Sequence, residues 1–304
     1  MFKKILVPLD GSQLSEQALP LATTLAEAVG GEIILLRSLV LVHMMLPEMA
    51  MEYDWVWPAD SEDSSRHEVT GYLTNLQNSL QRPNLAVRFL AVEGDEAGAI
   101  VDAAQTENVD LIVMSSHGYS GFTRWMLGSV TEKVLHSAPC PVLVVQSPQP
   151  VNHVLITLDG SHLAEKALAP GIELAQRFGA KVTLLQVNPL LPFGYGEPLA
   201  SEWAELDTTQ GLFDQMHKSS ENYLAEIAGQ HRSPNLPIEI KVIDGLTVTS
   251  ILDFVESANV DLIVMSTHGR SGLRRWLYGS VTAKVLRSAP CSMLIVRPPA
   301  AELS

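Results

Sequence analysis

One string is written twice in this chain, and it constrains the fold more than any other feature. Ser115–Val130 reads SSHGYSGFTRWMLGSV and Ser266–Val281 reads STHGRSGLRRWLYGSV. Each copy follows an apolar DLIVM and leads into T-x-KVL. The glycines keep their spacing, ten positions from Gly118 to Gly128 and again from Gly269 to Gly279. A loop of fixed length whose glycines hold position implies a backbone shaped around something. The likeness extends outward: ILVPLDGS from Ile5 aligns with VLITLDGS from Val154, and SAPCPVLVV aligns with SAPCSMLIV. A period this long marks duplication of a whole domain, since solenoid repeats run about 20–50 residues. Domains are therefore expected over residues 1–147 and 151–299, with QSPQP (Gln146–Pro150) as the linker, because its prolines oppose continued regular structure.

The length of 304 residues agrees with two domains. A formal net charge of −14 without any Lys/Arg run argues against a general nucleic-acid or anionic-membrane surface. An anionic ligand would have to be held locally, by backbone N–H groups and a few placed arginines. No apolar run approaches the roughly 18 residues of a membrane span. The apolar stretch behind the first two lysines is only Ile5–Leu9, too short for a secretory core, so it reads as a strand and the cytoplasm is the expected compartment. Cys140 and Cys291 occupy the same place in SAPC of each copy and read as small buried thiols at strand starts, outside any metal cluster.

Within a copy, short Val/Ile/Leu runs alternate with helical segments. Ile5–Leu9 predicts a strand, followed by an amphipathic helix capped by Ser12 and running to about Val29. GGEIILL is a second strand, and a helix is expected around His67–Leu80. AVRFLAVEGD is a third strand, Ala97–Glu107 a helix, DLIVMS a fourth strand, Ser129–Ser137 a helix and CPVLVV a last strand. The second copy repeats the order. Continuous apolar strands separated by helices imply, in each copy, an α/β Rossmann-like fold: a doubly wound, open parallel sheet of five strands covered on both faces.

Ligands of such sheets sit beyond the carboxyl ends of the strands where the winding reverses. The first and fourth strands end in the most distinctive chemistry, LDGS and S-x-HG. Successive N–H groups in the turn after the fourth strand suit phosphate oxygens, and Gly118 and Gly269 allow positive φ there. Gly128-Ser129 and Gly279-Ser280 open the next helix, whose free N–H groups and positive dipole end favour an anion. Asp10 and Asp159 are suited to a ribose hydroxyl or an adenine amine. Structural readings stand beside these. Ser129 with Glu132 spells a capping box, and LDGS alone is a turn with an N-cap. His117 and His268 fit a turn-stabilising hydrogen bond better than catalysis, and Trp125 and Trp276 fit packing better than base stacking.

Taken together, ILVPLDGS and VLITLDGS, VDLIVMS with its HG, the nine residues between the paired glycines and GSVT-x-KVL-x-SAPC resemble the universal stress protein family in its tandem two-domain form, over almost the whole chain. The resemblance implies strand order 3-2-1-4-5 in each domain. It also implies ATP, with or without magnesium or manganese, held by the early Asp, by the loop G-x-x-G-x9-G-[ST] and by the helix opening. Carried onto this chain, the residues are Pro8, Asp10, Ser115, His117, Gly118, Gly128, Ser129 and Val130 in the first copy. In the second they are Thr157, Asp159, Ser266, His268, Gly269, Arg270, Gly279, Ser280 and Val281. Ser115 and Ser266 stand where the family's loop has its first glycine; a Cβ there costs little at negative φ and strains the loop at positive φ. Thr157 stands where the first copy has Pro8. The resemblance further implies pairing of the two domains through their last strands, with homodimers also possible. If those strands pair antiparallel, Cys140 and Cys291 lie towards opposite ends and form no disulfide.

The second loop carries Arg270, Arg274 and Arg275 against Arg124 in the first, so a tighter and more salt-sensitive second site is expected. The apolar segments 43–66 and 189–211 read either as satellites of the core or as a lid or partner surface. The functional expectation is an ATP-binding regulator of the stress response. The alternatives are a scaffold that binds no nucleotide and a slow ATPase. No Walker A sequence and no strong general base support fast catalysis.

Overall fold

The computed structural model describes residues 2–39, 60–116, 127–189, 206–267 and 279–297. The chain divides into two compact units, Met1–Pro148 and Gln149–Ser304. In unit 1 the strands are β1 Lys4–Pro8, β2 Glu32–Leu39, β3 Ala86–Glu93, β4 Leu111–Ser115 and β5 Val142–Val145. The helices between them are α1 Gln13–Glu16, α2 Leu19–Val29, α3 Asp60–Leu80, α4 Glu96–Thr106 and α5 Ser129–Ser137. Unit 2 repeats the plan with β6 His153–Leu158, β7 Lys181–Pro189, β8 Ile238–Gly245, β9 Leu262–Ser266 and β10 Ser292–Val296. Its helices are α6 His162–Glu165, α7 Leu168–Phe178, α8 Leu206–His231, α9 Thr247–Ser257 and α10 Ser280–Ser288.

Each unit is a parallel sheet, ordered β3-β2-β1-β4-β5 in the first and β8-β7-β6-β9-β10 in the second. The 3-2-1-4-5 order is the one the sequence resemblance implies. Winding therefore reverses between β1 and β4, and between β6 and β9. The central strands are buried on both faces: Ile5, Leu6, Val7, Val154, Leu155 and Ile156 are fully enclosed. An aspartate anchors the start of each first strand. Asp110 accepts from the N–H groups of Lys3 and Lys4 at 2.8 and 2.9 Å, and Asp261 does so from Asn152 and His153 at 2.8 and 3.0 Å. The β6–β9 register runs to Ile156↔Val264, one pair further than β1–β4. Thr157 supplies a main-chain donor next to that pair, where Pro8 has none.

One expectation needs correction. The helix capped by Ser12 does not run unbroken to Val29: α1 ends at Glu16 and α2 starts at Leu19. The cause is Pro20. Continuing the helix would demand a bond from its nitrogen to the Glu16 carbonyl, and Pro has no N–H and a ring that crowds that oxygen. The chain instead tightens, with Gln17 and Ala18 donating three residues back to Leu14 and Ser15. Pro20 then sits in the first turn of α2, where no donor is needed. Unit 2 divides α6 from α7 in the same way ahead of Pro170.

Candidate functional site

Unit 2 shows how the sequence builds a concave site. β6 delivers Thr157 and Leu158 to the carboxyl edge of the sheet, and the chain turns through Asp159 and Gly160, whose φ of +79° lies in the region that favours glycine. The turn is held from within. Asp159 Oδ1 accepts from the Ser161 N–H at 2.9 Å, and Ser161 Oγ in turn caps α6 by accepting from the Ala164 N–H at 3.1 Å.

The neighbouring strand β9 ends at Ser266, with Thr267 buried behind it. The chain returns at Gly279, whose N–H donates to the Thr267 carbonyl at 2.6 Å and whose own carbonyl receives the Ala283 N–H at 3.0 Å. Gly279 is the N-cap of α10 and, being a glycine, offers no side-chain cap of its own. The return is tight: a Cβ on Gly279 would lie 3.2 Å from the Thr267 oxygen. Thr282, also buried, locks the arrangement by donating its hydroxyl to the Ser266 carbonyl at 2.9 Å. Ser280 is left exposed on the first turn of α10.

These pieces enclose a cleft of about 320 Å³. Of the residues singled out in the second copy, Thr157, Asp159, Ser266, Gly279, Ser280 and Val281 all line it. Sequence reading missed Gln186, which pairs with Leu158 from within β7, and Thr247 and Ile251 on α9, which line it too. Gln186 carried a faint signal, a polar residue inside the apolar strand VTLLQV. Thr282 was visible as part of GSVT, but only the fold gives it a role.

Unit 1 has the same frame. Pro8 ends β1, and Asp10 Oδ1 accepts from the Ser12 N–H at 2.9 Å. Gly128 donates to the Ser116 carbonyl at 2.9 Å, and the Thr131 hydroxyl donates to the Ser115 carbonyl at 3.2 Å. Here the capping-box reading of Ser129 fails. The N-cap is Gly128, and Ser129 is the first helical residue, with Val130 following it. A serine inside the first turn cannot reach forward to cap it. The exposed Ser129 hydroxyl therefore does not serve as the helix cap.

Ser115 and Ser266 are the last residues of extended strands, and neither has positive φ. Of the two outcomes weighed for a Cβ at that position, the one without positive-φ strain holds. His117, Gly118, His268, Gly269 and Arg270 lie outside the described residues, as do Arg124, Arg274, Arg275 and both loop tryptophans. The described residues contain no group of three or more His, Cys, Asp or Glu placed to hold a metal ion. None of their helices is long and apolar enough to cross a membrane.

The units differ in the wall that β7 gives the cleft. Where unit 2 has Gln186, unit 1 has Arg37, whose guanidinium lies against Gly11 and 5.1 Å over the Tyr72 ring. Tyr72 donates to Glu16 at 2.8 Å, and burial first, then that carboxylate, pushes the phenol well above its ordinary pKa. Tyr223 makes the matching bond to Glu165 at 3.0 Å.

The model of the Universal stress protein family matches twice, at residues 1–146 and 150–297. Universal stress protein Rv2005c of Mycobacterium tuberculosis is 28% identical over 275 residues, covering 85% of this chain and 87% of its own length. A universal stress protein of Mycolicibacterium smegmatis is 27% identical and covered 97% in both directions. The crystal structure of a universal stress protein from Archaeoglobus fulgidus superposes with a TM-score of 0.68 over 98% of this chain and 99% of its own, at 21% identity, a likeness of fold. With a parallel sheet of the same strand order in each half and the family matched along both, this chain belongs to the universal stress protein family as a tandem pair.

Proposed function

We propose that the protein binds an adenine nucleotide, ATP, beyond the carboxyl ends of the paired strands, and that it acts as a regulator in the stress response by occupancy of that site. The observation that carries this reading is the unit-2 cleft. It joins a helix start whose N-cap is a glycine, Gly279 with Ser280, to the carboxylate of Asp159 across the point where winding reverses. The open N–H groups and dipole of α10 stabilise phosphate oxygens, worth about 0.3–1 kcal/mol near a surface and more when partly buried. Ser280 adds a hydroxyl. Asp159 would repel phosphate but receives ribose hydroxyls or a base amine. The orientation follows: phosphates toward α10, nucleoside toward β6 and β7. Unit 1 offers Asp10, Gly128 and Ser129 in equivalent positions, and a magnesium or manganese ion would be carried by the phosphates. The extended backbone at Ser115 and Ser266, where the family's loop has glycine, supports this reading over a nucleotide-free scaffold, since a side chain there carries no positive-φ strain.

The test is direct. Protein purified under native conditions should release an adenine nucleotide on denaturation, identified by mass spectrometry. Calorimetric titration of stripped protein should show ATP binding that Asp10→Ala with Asp159→Ala weakens by tenfold or more. Empty protein that takes up no adenylate at millimolar concentration refutes the reading.

A further inference from the structure

Gln186 is a buried polar residue whose hydrogen-bonding direction is decided elsewhere. Beside the cleft, unit 2 carries a chain of polar side chains running from β8 through β7 and α8. It starts at Asp244, which takes His217 Nδ1 at 2.6 Å on one oxygen and Asn188 Nδ2 at 2.9 Å on the other. A carboxylate only accepts, so the amide nitrogen of Asn188 must face it and the Asn188 oxygen must face away. That oxygen receives the Ser220 hydroxyl proton at 2.8 Å. With its one proton used, Ser220 Oγ can only accept, and it accepts from Gln186 Nε2 at 2.9 Å. Turning the Gln186 amide over would set two acceptors against each other. Its Oε1 is therefore an acceptor by necessity, and it is buried with no hydrogen-bond partner while Gln186 is only 5% exposed and lines the cleft.

An unmet buried acceptor is an open demand for a donor. Position says which part of a ligand would meet it. Gln186 pairs with Leu158 at the end of β6, and β7 and β9 flank β6 at about 4.8 Å per strand, so Gln186 lies about 10 Å from the end of β9, beyond which α10 opens. That is the base end of a nucleotide whose phosphates lie at α10. Unit 1 replaces every link. Arg37 stands for Gln186, and buried Leu39 and Val69 stand for Asn188 and Ser220, while Arg66 pairs with Glu93 at the outer end. A guanidinium only donates, so the same position there has the opposite polarity.

Building on the nucleotide reading, we propose that Gln186 is the specificity-determining acceptor of the unit-2 cleft. Its Oε1 receives a hydrogen bond from the exocyclic amine of a bound purine, and the Asp244–Asn188–Ser220 chain fixes that direction as a positioning device. A 6-oxo purine offers an oxygen at the same place and is rejected. Unit 1, with Arg37, does not make this distinction.

The full-length chain is titrated calorimetrically with ATP and with inosine triphosphate, whose base has an oxygen in place of the amine, and the isotherms are fitted as two independent sites. In the unaltered protein one site should prefer ATP by about tenfold to a hundredfold, the range expected for burying an acceptor against the wrong partner. Gln186→Leu should reduce the preference to about threefold or less. Asn188→Leu with Ser220→Val, which copies the residues of unit 1, keeps Gln186 but frees its amide and should also narrow the preference. Circular dichroism and thermal unfolding establish that each variant is folded, and the second serves if Gln186→Leu is not. An undiminished preference in both variants overturns the assignment and leaves Oε1 to an internal water. Failure of the unaltered protein to bind either nucleotide is a different result, and removes the nucleotide reading itself.

Discussion

Replacing Gly171 by alanine should destabilise unit 2, and the cause lies across the helix–sheet interface. A Cβ built on Gly171 would lie 2.8 Å from Ile156 Cδ1, 3.1 Å from its Cγ1 and 3.2 Å from Val264 Cγ1. Overpacking of this kind costs about 1–3 kcal/mol, while Ala in place of Gly in a helix returns up to about 1 kcal/mol, so a net loss near 1 kcal/mol is expected. Ile156→Val alone deletes one buried methylene and costs about 0.5–1.5 kcal/mol. Unit 1 displays the compensated pair, with Val7 and Ala22 in the corresponding positions, both fully buried. The double variant Gly171→Ala/Ile156→Val moves a carbon from strand to helix without changing the total. It should match or exceed the parent, giving a coupling of about 2 kcal/mol between two single losses. Hydrogen exchange of the β6 and α7 amides in the full chain is the suitable assay, because a two-unit protein need not unfold in one transition. Additivity within about 0.5 kcal/mol would refute the packing account.

The remaining predictions concern single groups. The His153 ring is buried, with Nδ1 3.2 Å from the Ala258 carbonyl and Nε2 2.8 Å from Thr183 Oγ1, and burial depresses its pKa below the ordinary 6.5. Its neutral form is the folded one, so the unfolded chain binds the proton more readily. Stability is complete above about pH 6.5 and falls as acid carries the ring through its lower folded pKa. His153→Gln should flatten the dependence of unit-2 unfolding between about pH 7 and 5. Only one of the two thiols expected to be buried is so: Cys291 is buried, while Cys140 is half-buried. Burial pushes both up to about 12, so both should react slowly with a disulfide reagent at pH 7.5, Cys140 ahead of Cys291, and Cys291 fully only once denaturant is added. Ser266→Gly should not stabilise the protein or tighten adenylate binding by more than about twofold, since the serine already sits in unstrained extended backbone. Thr282→Val keeps the shape of a buried side chain but loses its bond to the Ser266 carbonyl. A loss of about 1–2 kcal/mol in local exchange at α10 and weaker nucleotide binding are expected.

How much of this was legible in the sequence depended on the range of the interactions involved. The duplication, the alternation of strand and helix, the serine caps and the LDGS turn are local or periodic, so they could be read from residues a few positions apart. Ser12 and Ser161 cap their helices through bonds spanning three residues. The break between α1 and α2 is local too, since it rests on Pro20 and the Glu16 carbonyl four residues before it, and a helix expected to run from Ser12 to Val29 conflicts with that one residue. The capping box at Ser129 failed for a different reason. Its four letters were present, but the helix starts one residue earlier, at a glycine tied to Ser116 across the loop.

The sequence alone determined that the chain is two copies of one parallel α/β unit, and that Asp, Gly and Ser gather at the ends of its first and fourth strands. Those facts follow from hydrophobic period and repeated motif, which need no knowledge of what touches what. Only the tertiary structure decided that Ser115 and Ser266 are unstrained, that Thr131 and Thr282 lock the helix openings, and that Gln186 must present an acceptor. That last point depends on Asp244 and Ser220, which lie far from Gln186 in the chain and are joined to it by pairing of β7 with β8 and packing of α8. Backbone conformation and hydrogen-bond direction are settled by such distant partners, and a string of residues does not contain them until it folds.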